Sequence, residues 1–172
     1  PSDGHFQSGK IPMSSQSAVI KKLEAGDNRV TIPLVRMAAC LDFRLDTSGL
    51  QFGTFMAESV SLKQANGVVS MFAASNTAAL PDLIAGDNSS QTDISLLNAG
   101  GTASFYMLEN CQGTLLPGNT DPWRKEYYNE SIRPSREVCT YLELTGTYRD
   151  GSGGLNEKRV YKMYLGDDAT TN

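Results

Sequence analysis

From Val35 to Asp46 the side chains alternate without a slip. Val35, Met37, Ala39, Leu41, Phe43 and Leu45 fall on one parity, and Arg36, Ala38, Cys40, Asp42, Arg44 and Asp46 on the other. Successive side chains of a β-strand point to opposite faces, so a two-residue rhythm of this length predicts a strand with one face buried and one wet. A strand of that kind needs a second layer to bury against, which commits the chain to a sheet-containing fold. Pro33, just upstream, has no N–H to give to a ladder and predicts an edge position or a break between two short strands. Cys40 lies on the polar parity, which argues against a place in the core.

The rest of the chain repeats the pattern in shorter phrases. Arg29-Val30-Thr31-Ile32 reads as a strand. In Phe52–Leu62, Phe52, Thr54 and Met56 share a parity with Val60 and Leu62, but Glu58 falls on the same face. A bulge near Ala57-Glu58 would return that carboxylate to water. Val68–Phe72 is a further short segment. Residues 75–101 read as a long connection, with a helical turn or two over Thr77–Ile84, turn chemistry at Gly86–Ser90 and a short strand at Ile94–Leu97. Phe105–Glu109 is another strand, followed by a polar stretch up to Val138. Leu142 and Leu144, then Tyr161, Met163 and Leu165, alternate on either side of Tyr148–Gly154, whose glycines permit the positive φ of a tight reversal. Short strands, little helix and Gly-rich turns predict an all-β antiparallel sandwich.

Composition excludes several classes of partner. The 172 residues carry 15 basic and 19 acidic side chains, a net charge of −4, with no basic stripe of the kind that neutralises phosphates. Nucleic acid is therefore not an expected partner. No apolar run approaches the roughly 18 residues of a membrane span. A hydrophobic fraction of 40% is ordinary for a globular chain that buries its own core. The chain opens on Pro1 and stops at Asn172 without a terminating feature, so both ends are expected to be processed or truncated, and a missing export signal carries no weight.

Nothing in the residues points to a reaction. His5 is the single histidine and sits in a polar tail, whereas serine and cysteine nucleophiles need a base beside them. Cys40, Cys111, Cys139 and His5 make a nominal zinc set, but no C-x-x-C spacing joins them and they belong to separate segments. For the thiols two readings stand: a Cys111–Cys139 bridge with Cys40 left over, or three separate thiols. Asp150-Gly151-Ser152-Gly153-Gly154 lacks the Lys-Ser/Thr and the helix of a phosphate loop. Asp87, Asn88 and Asp93 lack the ligand spacing of a calcium loop. The chain is expected to be non-enzymatic, with no cofactor and no metal.

Five phrases, in order, resemble the fimbrillin family, the surface pilus subunits of Bacteroidales-type gut and oral bacteria. Ile11-Pro12-Met13-Ser14 resembles the short element that closes the family's first domain. Leu34–Ala39 resembles the strand opening its second domain, although Val35 stands where Glu is usual and Cys40 where Lys is common. Phe105-Tyr106 through Glu109-Asn110 and Gly113, Thr140–Tyr148 and Val160–Gly166 resemble its later strands. The resemblance implies a transthyretin-like seven-stranded sandwich over residues 29–172, preceded at 1–28 by the tail of another domain. It implies a sandwich lacking its last strand, because the text ends where the family's final apolar strand would follow. It implies a structural subunit of a fimbrium at the outer membrane of a Gram-negative bacterium, a lipoprotein whose lipid-bearing cysteine lies upstream of Pro1. Its partners would be other fimbrial subunits, joined by strand exchange.

Residues 114–138 form a loop long enough to suggest recognition. It holds the single tryptophan, Trp123, with Tyr127 and Tyr128 and the cations Arg124, Lys125, Arg133 and Arg136. Aromatic side chains flanked by arginine suit protein or glycan contacts, so Trp123, Tyr127 and Tyr128 are the candidate partner-binding residues of a tip adhesin or glycan-binding module. The plainer reading folds Trp123 back over a sheet edge and leaves the cations solvated.

Overall fold

The structure is a computed structural model and describes residues 11, 13–15, 20–67, 84–85, 88–89, 94–110, 113–127 and 139–166. Its strands are β1 (Met13–Ser14), β2 (Val35–Arg36), β3 (Ala38–Arg44), β4 (Gly53–Lys63), β5 (Ala65–Asn66), β6 (Ile84–Ala85), β7 (Asn88–Ser89), β8 (Thr102–Leu108), β9 (Tyr141–Asp150) and β10 (Asn156–Tyr164). Two short helices, α1 (Ile94–Asn98) and α2 (Arg124–Tyr127), interrupt them. The architecture is an all-β antiparallel sandwich. One sheet has the order β10-β9-β4-β7, the other β3-β8-β5-β6, and β1 and β2 form a separate pair. Inner-face residues of both sheets meet in one core: Ala57, Val60 and Leu62 from β4, Ala65 from β5, Ala103 and Phe105 from β8, Leu142 and Leu144 from β9, with Leu97 of α1 between them.

The alternation that opens the sequence holds in its second half. Leu41, Phe43 and Leu45 pack against the core while Cys40, Asp42 and Arg44 are exposed. In its first half it holds only at Met37, which is buried between β2 and β3, while Val35 and Ala39 on the same parity are exposed. The break lies closer to the core than Pro33, at the point where β2 leaves its partner β1 and the chain joins the ladder of β8. Residues 29–32, expected to form a strand, are not in one. No backbone hydrogen bond among the described residues reaches Val30 through Leu34.

The bulge expected in β4 is present. Ala57 faces Gly146 and Ser59 faces Thr145, which leaves Glu58 as the extra residue. Its consequence for the faces differs from the expectation. An inserted residue shifts parity, so Phe55 and Ala57 point inward before the bulge, Val60 and Leu62 after it, and Phe52 and Met56 are exposed. Asn98 spans the site from the far edge: its Oδ1 accepts from Ala57 N at 2.8 Å and its Nδ2 donates to Ala57 O at 2.9 Å. The side-chain amide thus does for Ala57 what a neighbouring strand would do.

Ile94–Leu97, expected as a strand, is the body of α1. Leu97 is buried and Ile94, three residues back, packs on the same core. The helix ends on Gly100 at φ 81°, with Gly101 N donating to Leu96 O and Gly100 N to Leu97 O, a Schellman closure that only an αL residue allows. The Asn-Ala-Gly-Gly sequence after Leu97 was the signal for this stop. Asn88-Ser89, expected in a turn, is β7 and pairs with Ser61-Leu62 of β4. Of the helical turns expected over Thr77–Ile84, Ile84 instead opens β6, paired with Asn66; Thr77–Leu83, the expected segment Val68–Phe72, and Gly86, Asp87 and Ser90 lie outside the described residues.

The final hairpin forms as expected. β9 and β10 pair from Tyr141↔Tyr164 to Arg149↔Asn156, and Gly153 takes φ 76° in the turn. Asp150 organises that turn. Its carboxylate accepts from Leu155 N at 3.1 Å and from Ser152 Oγ at 2.7 Å. These bonds, led by the one from the Leu155 backbone, hold the Asp150 carboxyl below the ordinary range.

Candidate functional site

Two places stand out: the lateral border of the sandwich where β3 and β10 run, and the start of the long loop around Trp123.

The border follows from topology. The chain passes from β4 to β5 through the single residue Gln64, whose φ of 54° turns it from one sheet into the other. Two residues separate β6 from β7, so all four strands belong to one side of the sandwich. β3 and β10 end the two sheets on the opposite side. Glu109 N donates to Met37 O at 3.1 Å, which fixes the phase of the ladder: Met37, Ala39, Leu41 and Phe43 direct their backbone groups to β8. The N–H and C=O groups of Ala38, Cys40, Asp42 and Arg44 therefore face outward, and no strand among the described residues meets them. Beside this edge the core is incompletely covered. Leu41, Phe43 and Leu45 are only partly buried, and on β10 the inward-facing Tyr161 is 48% exposed. Tyr161 rests edge-on against Phe55, centroids 5.6 Å apart, above the gap left by Gly146.

On the solvent side of β3, Asp42 accepts from Ser104 Oγ at 2.6 Å, and Cys40 is exposed as its parity predicts. Burial by neighbours and the nearby Asp42 carboxylate both raise the Cys40 thiol above its ordinary value. On the outer face of the other sheet, Glu58 accepts from Thr147 Oγ1 and pairs with Lys158 at 3.3 Å; the Thr147 bond and Lys158 hold its carboxyl low.

At the loop, Trp123 is 63% exposed, with the Arg124 guanidinium 5.9 Å from its ring centroid. It does not fold back over a sheet edge. The residue that does fold back is Lys125, expected to be solvated and found only 2% exposed. Lys125 Nζ donates to Leu165 O at 2.7 Å, and Glu126 pairs with Lys162 of β10. Leu165 N donates to Thr140 O at 3.0 Å, Asn110 Nδ2 donates to Thr140 Oγ1 at 2.9 Å, and Thr140 Oγ1 donates to Gln64 O at 2.9 Å. This buried polar chain ties the loop to the ends of β8, β9 and β10 and to the Gln64 kink. Sequence reasoning missed it, because Arg124-Lys125-Glu126 carries no mark separating an inserted lysine from a solvated one. Tyr127 ends α2; Tyr128, Arg133 and Arg136 lie outside the described residues.

The two described thiols stand in different surroundings, Cys40 exposed on β3 and Cys139 buried. Cys139 is a fully buried thiol before β9, while Cys111 and His5 lie outside the described residues. Burial pushes Cys139 up to about 12, opposed by the Lys125 ammonium. Among the described residues no group of three His, Cys, Asp or Glu side chains converges as a metal site, and no helix is long and apolar enough to cross a membrane.

One family model matches. It is described as a domain of unknown function (DUF4906) and covers residues 105–172, from within β8 through the α2 loop and the β9–β10 hairpin. No curated protein and no solved structure matches the chain.

Proposed function

We propose that this chain is a structural subunit of a bacterial surface fimbria of the fimbrillin kind, joined to its neighbours by β-strand donation. The observation that carries the reading is the β3 border: outward-facing backbone groups of Ala38, Cys40, Asp42 and Arg44 beside the half-covered row Leu41, Phe43 and Leu45. An edge of this length that carries no lysine, no proline and, among the described residues, no covering strand is what strand addition uses. The five sequence phrases that resemble fimbrillins, and a transthyretin-like reading of the sandwich, support the same conclusion. On this reading the chain would stand at the outer membrane of a Gram-negative bacterium. Electron microscopy and sedimentation of the full-length gene product test it. Fibres, or a ladder of non-covalent oligomers, are the expected result; a strict monomer at every concentration overturns the proposal.

A second reading is favoured by the exposed Trp123 beneath Arg124: a tip adhesin or glycan-binding module using Trp123, Tyr127 and Tyr128. It predicts that replacing all three by Ala abolishes adhesion to host protein or glycan while assembly survives. Unchanged adhesion in that variant removes the loop as the site.

A further inference from the structure

Resting on the assembly reading, we infer that the donated strand is Arg29–Leu34 of a second copy of this chain, and that it docks along the outer edge of β3. The segment has the chemistry of a strand without the company of one. Val30, Ile32 and Leu34 alternate with Arg29, Thr31 and Pro33, and are 43%, 52% and 55% exposed. At its start, Lys21 Nζ donates to Arg29 O. Three aliphatic side chains held in water at every second position match the spacing of Leu41, Phe43 and Leu45, the row left half-covered at the β3 border.

Pro33 specifies how the segment pairs. Its missing N–H belongs to the edge shared with Arg29 and Thr31, and a ladder on that edge would be broken. The other edge presents N–H groups from Val30, Ile32 and Leu34 without interruption. The strand therefore adds to one neighbour and does not propagate a sheet beyond itself, which suits a link between subunits better than lateral aggregation. The same molecule's β3 is not its acceptor. Only Met37 separates β2 from β3, and β2 is held by β1, so the segment runs on past the end of β3 instead of lying beside it. The occupant of the β3 edge is then supplied by another copy, and because donor and acceptor are different surfaces the contact is heterologous and builds a line.

The test uses the full-length chain and two single variants of exposed positions. Ile32→Asp places a charge on the docking parity, and Thr31→Asp places it on the opposite one. Sedimentation and electron microscopy are expected to show association falling by roughly tenfold or more for Ile32→Asp, the effect of exchanging one buried aliphatic side chain for a desolvated carboxylate, with Thr31→Asp close to wild type. A mixture of chains carrying Ile32→Cys and chains carrying Cys40→Ala with Phe43→Cys should crosslink between copies. A peptide spanning Asn28–Arg36 should compete with assembly. Undiminished assembly of Ile32→Asp, with no competition by the peptide, overturns the assignment of the donor but leaves strand donation standing, with some other segment on the β3 edge. A wild-type chain that never associates overturns both.

Discussion

Single residues decide how the two sheets close on one another. Gly146 is the clearest case: a Cβ there would collide with the Met56 carbonyl oxygen and with the Phe55 ring, which lies in the space that the glycine leaves. Gly146→Ala must displace either the β4 backbone at its bulge or the Phe55–Tyr161 pair, and is expected to cost about 1–3 kcal/mol of stability, read as a lowered denaturation midpoint. Gly151→Ala, in the open hairpin turn where nothing lies closer than 3.9 Å, is the control and should cost far less. Cys139 makes the second prediction. With its thiol pushed up to about 12 from 9.0, the folded chain keeps a proton that the unfolded chain releases as pH rises above 9. Stability contributed by the buried thiol is fully present below 9 and is lost on climbing towards 12, by at most about 1.4 kcal/mol per pH unit. Denaturant midpoints should therefore fall more steeply with alkaline pH in the wild type than in Cys139→Ala, and equal slopes would exclude this account. Native protein should also be alkylated at exposed Cys40 well before Cys139.

Elements whose signal is periodic were legible in the sequence, and those whose signal is tertiary were not. The β9–β10 hairpin could be read from two alternating runs around Asp150–Gly154. The bulge in β4 could be read from one carboxylate, Glu58, on an apolar parity. What the residues of β4 could not say is that the bulge reverses the inward face before it, because both Phe52/Met56 and Phe55/Ala57 are acceptable core pairs. Only Asn98, 41 positions away, fixes the choice by gripping both backbone groups of Ala57. α1 was misread as a strand because five residues are too short to separate periods of 2 and 3.6, and the Gly100-Gly101 stop behind it was the better evidence. Residues 29–32 were misread for the opposite reason: their pattern is that of a strand, but a strand exists only with a neighbour. The importance of the Asn98 grip is measurable. Asn98→Ala leaves the N–H and C=O of the buried Ala57 without their side-chain partner and is expected to cost about 1–3 kcal/mol. Hydrogen exchange should quicken at Ala57 and through the β4 bulge, and an unchanged Ala57 amide would show that the bulge holds itself.

The whole molecule is asymmetric in how it treats its borders. On one side β7 pairs with Ser61 and Leu62 of β4 and Asn98 holds the backbone of Ala57; on the other, the backbone groups of Ala38, Cys40, Asp42 and Arg44 of β3 meet no strand among the described residues. That contrast allows a prediction in which folding and assembly separate at adjacent residues. The backbone of Leu41 faces β8, as the Glu109–Met37 bond and the unbroken register require, while the backbone of Cys40 faces outward. Proline removes one N–H in either position. In Leu41→Pro the lost donor is a ladder bond inside the sandwich and the altered side chain belongs to the core, so the fold itself should fail, seen as loss of the β-sheet circular dichroism. In Cys40→Pro no internal backbone bond is lost and the side chain is on the wet face, so the monomer should keep its sheet spectrum with only a modest fall in melting temperature. What Cys40→Pro takes away is a donor from the middle of the open edge, together with the flatness a docking strand needs, and fibres or oligomers should disappear from sedimentation and microscopy. A Cys40→Pro protein that still assembles like wild type would mean that subunits join elsewhere than at β3.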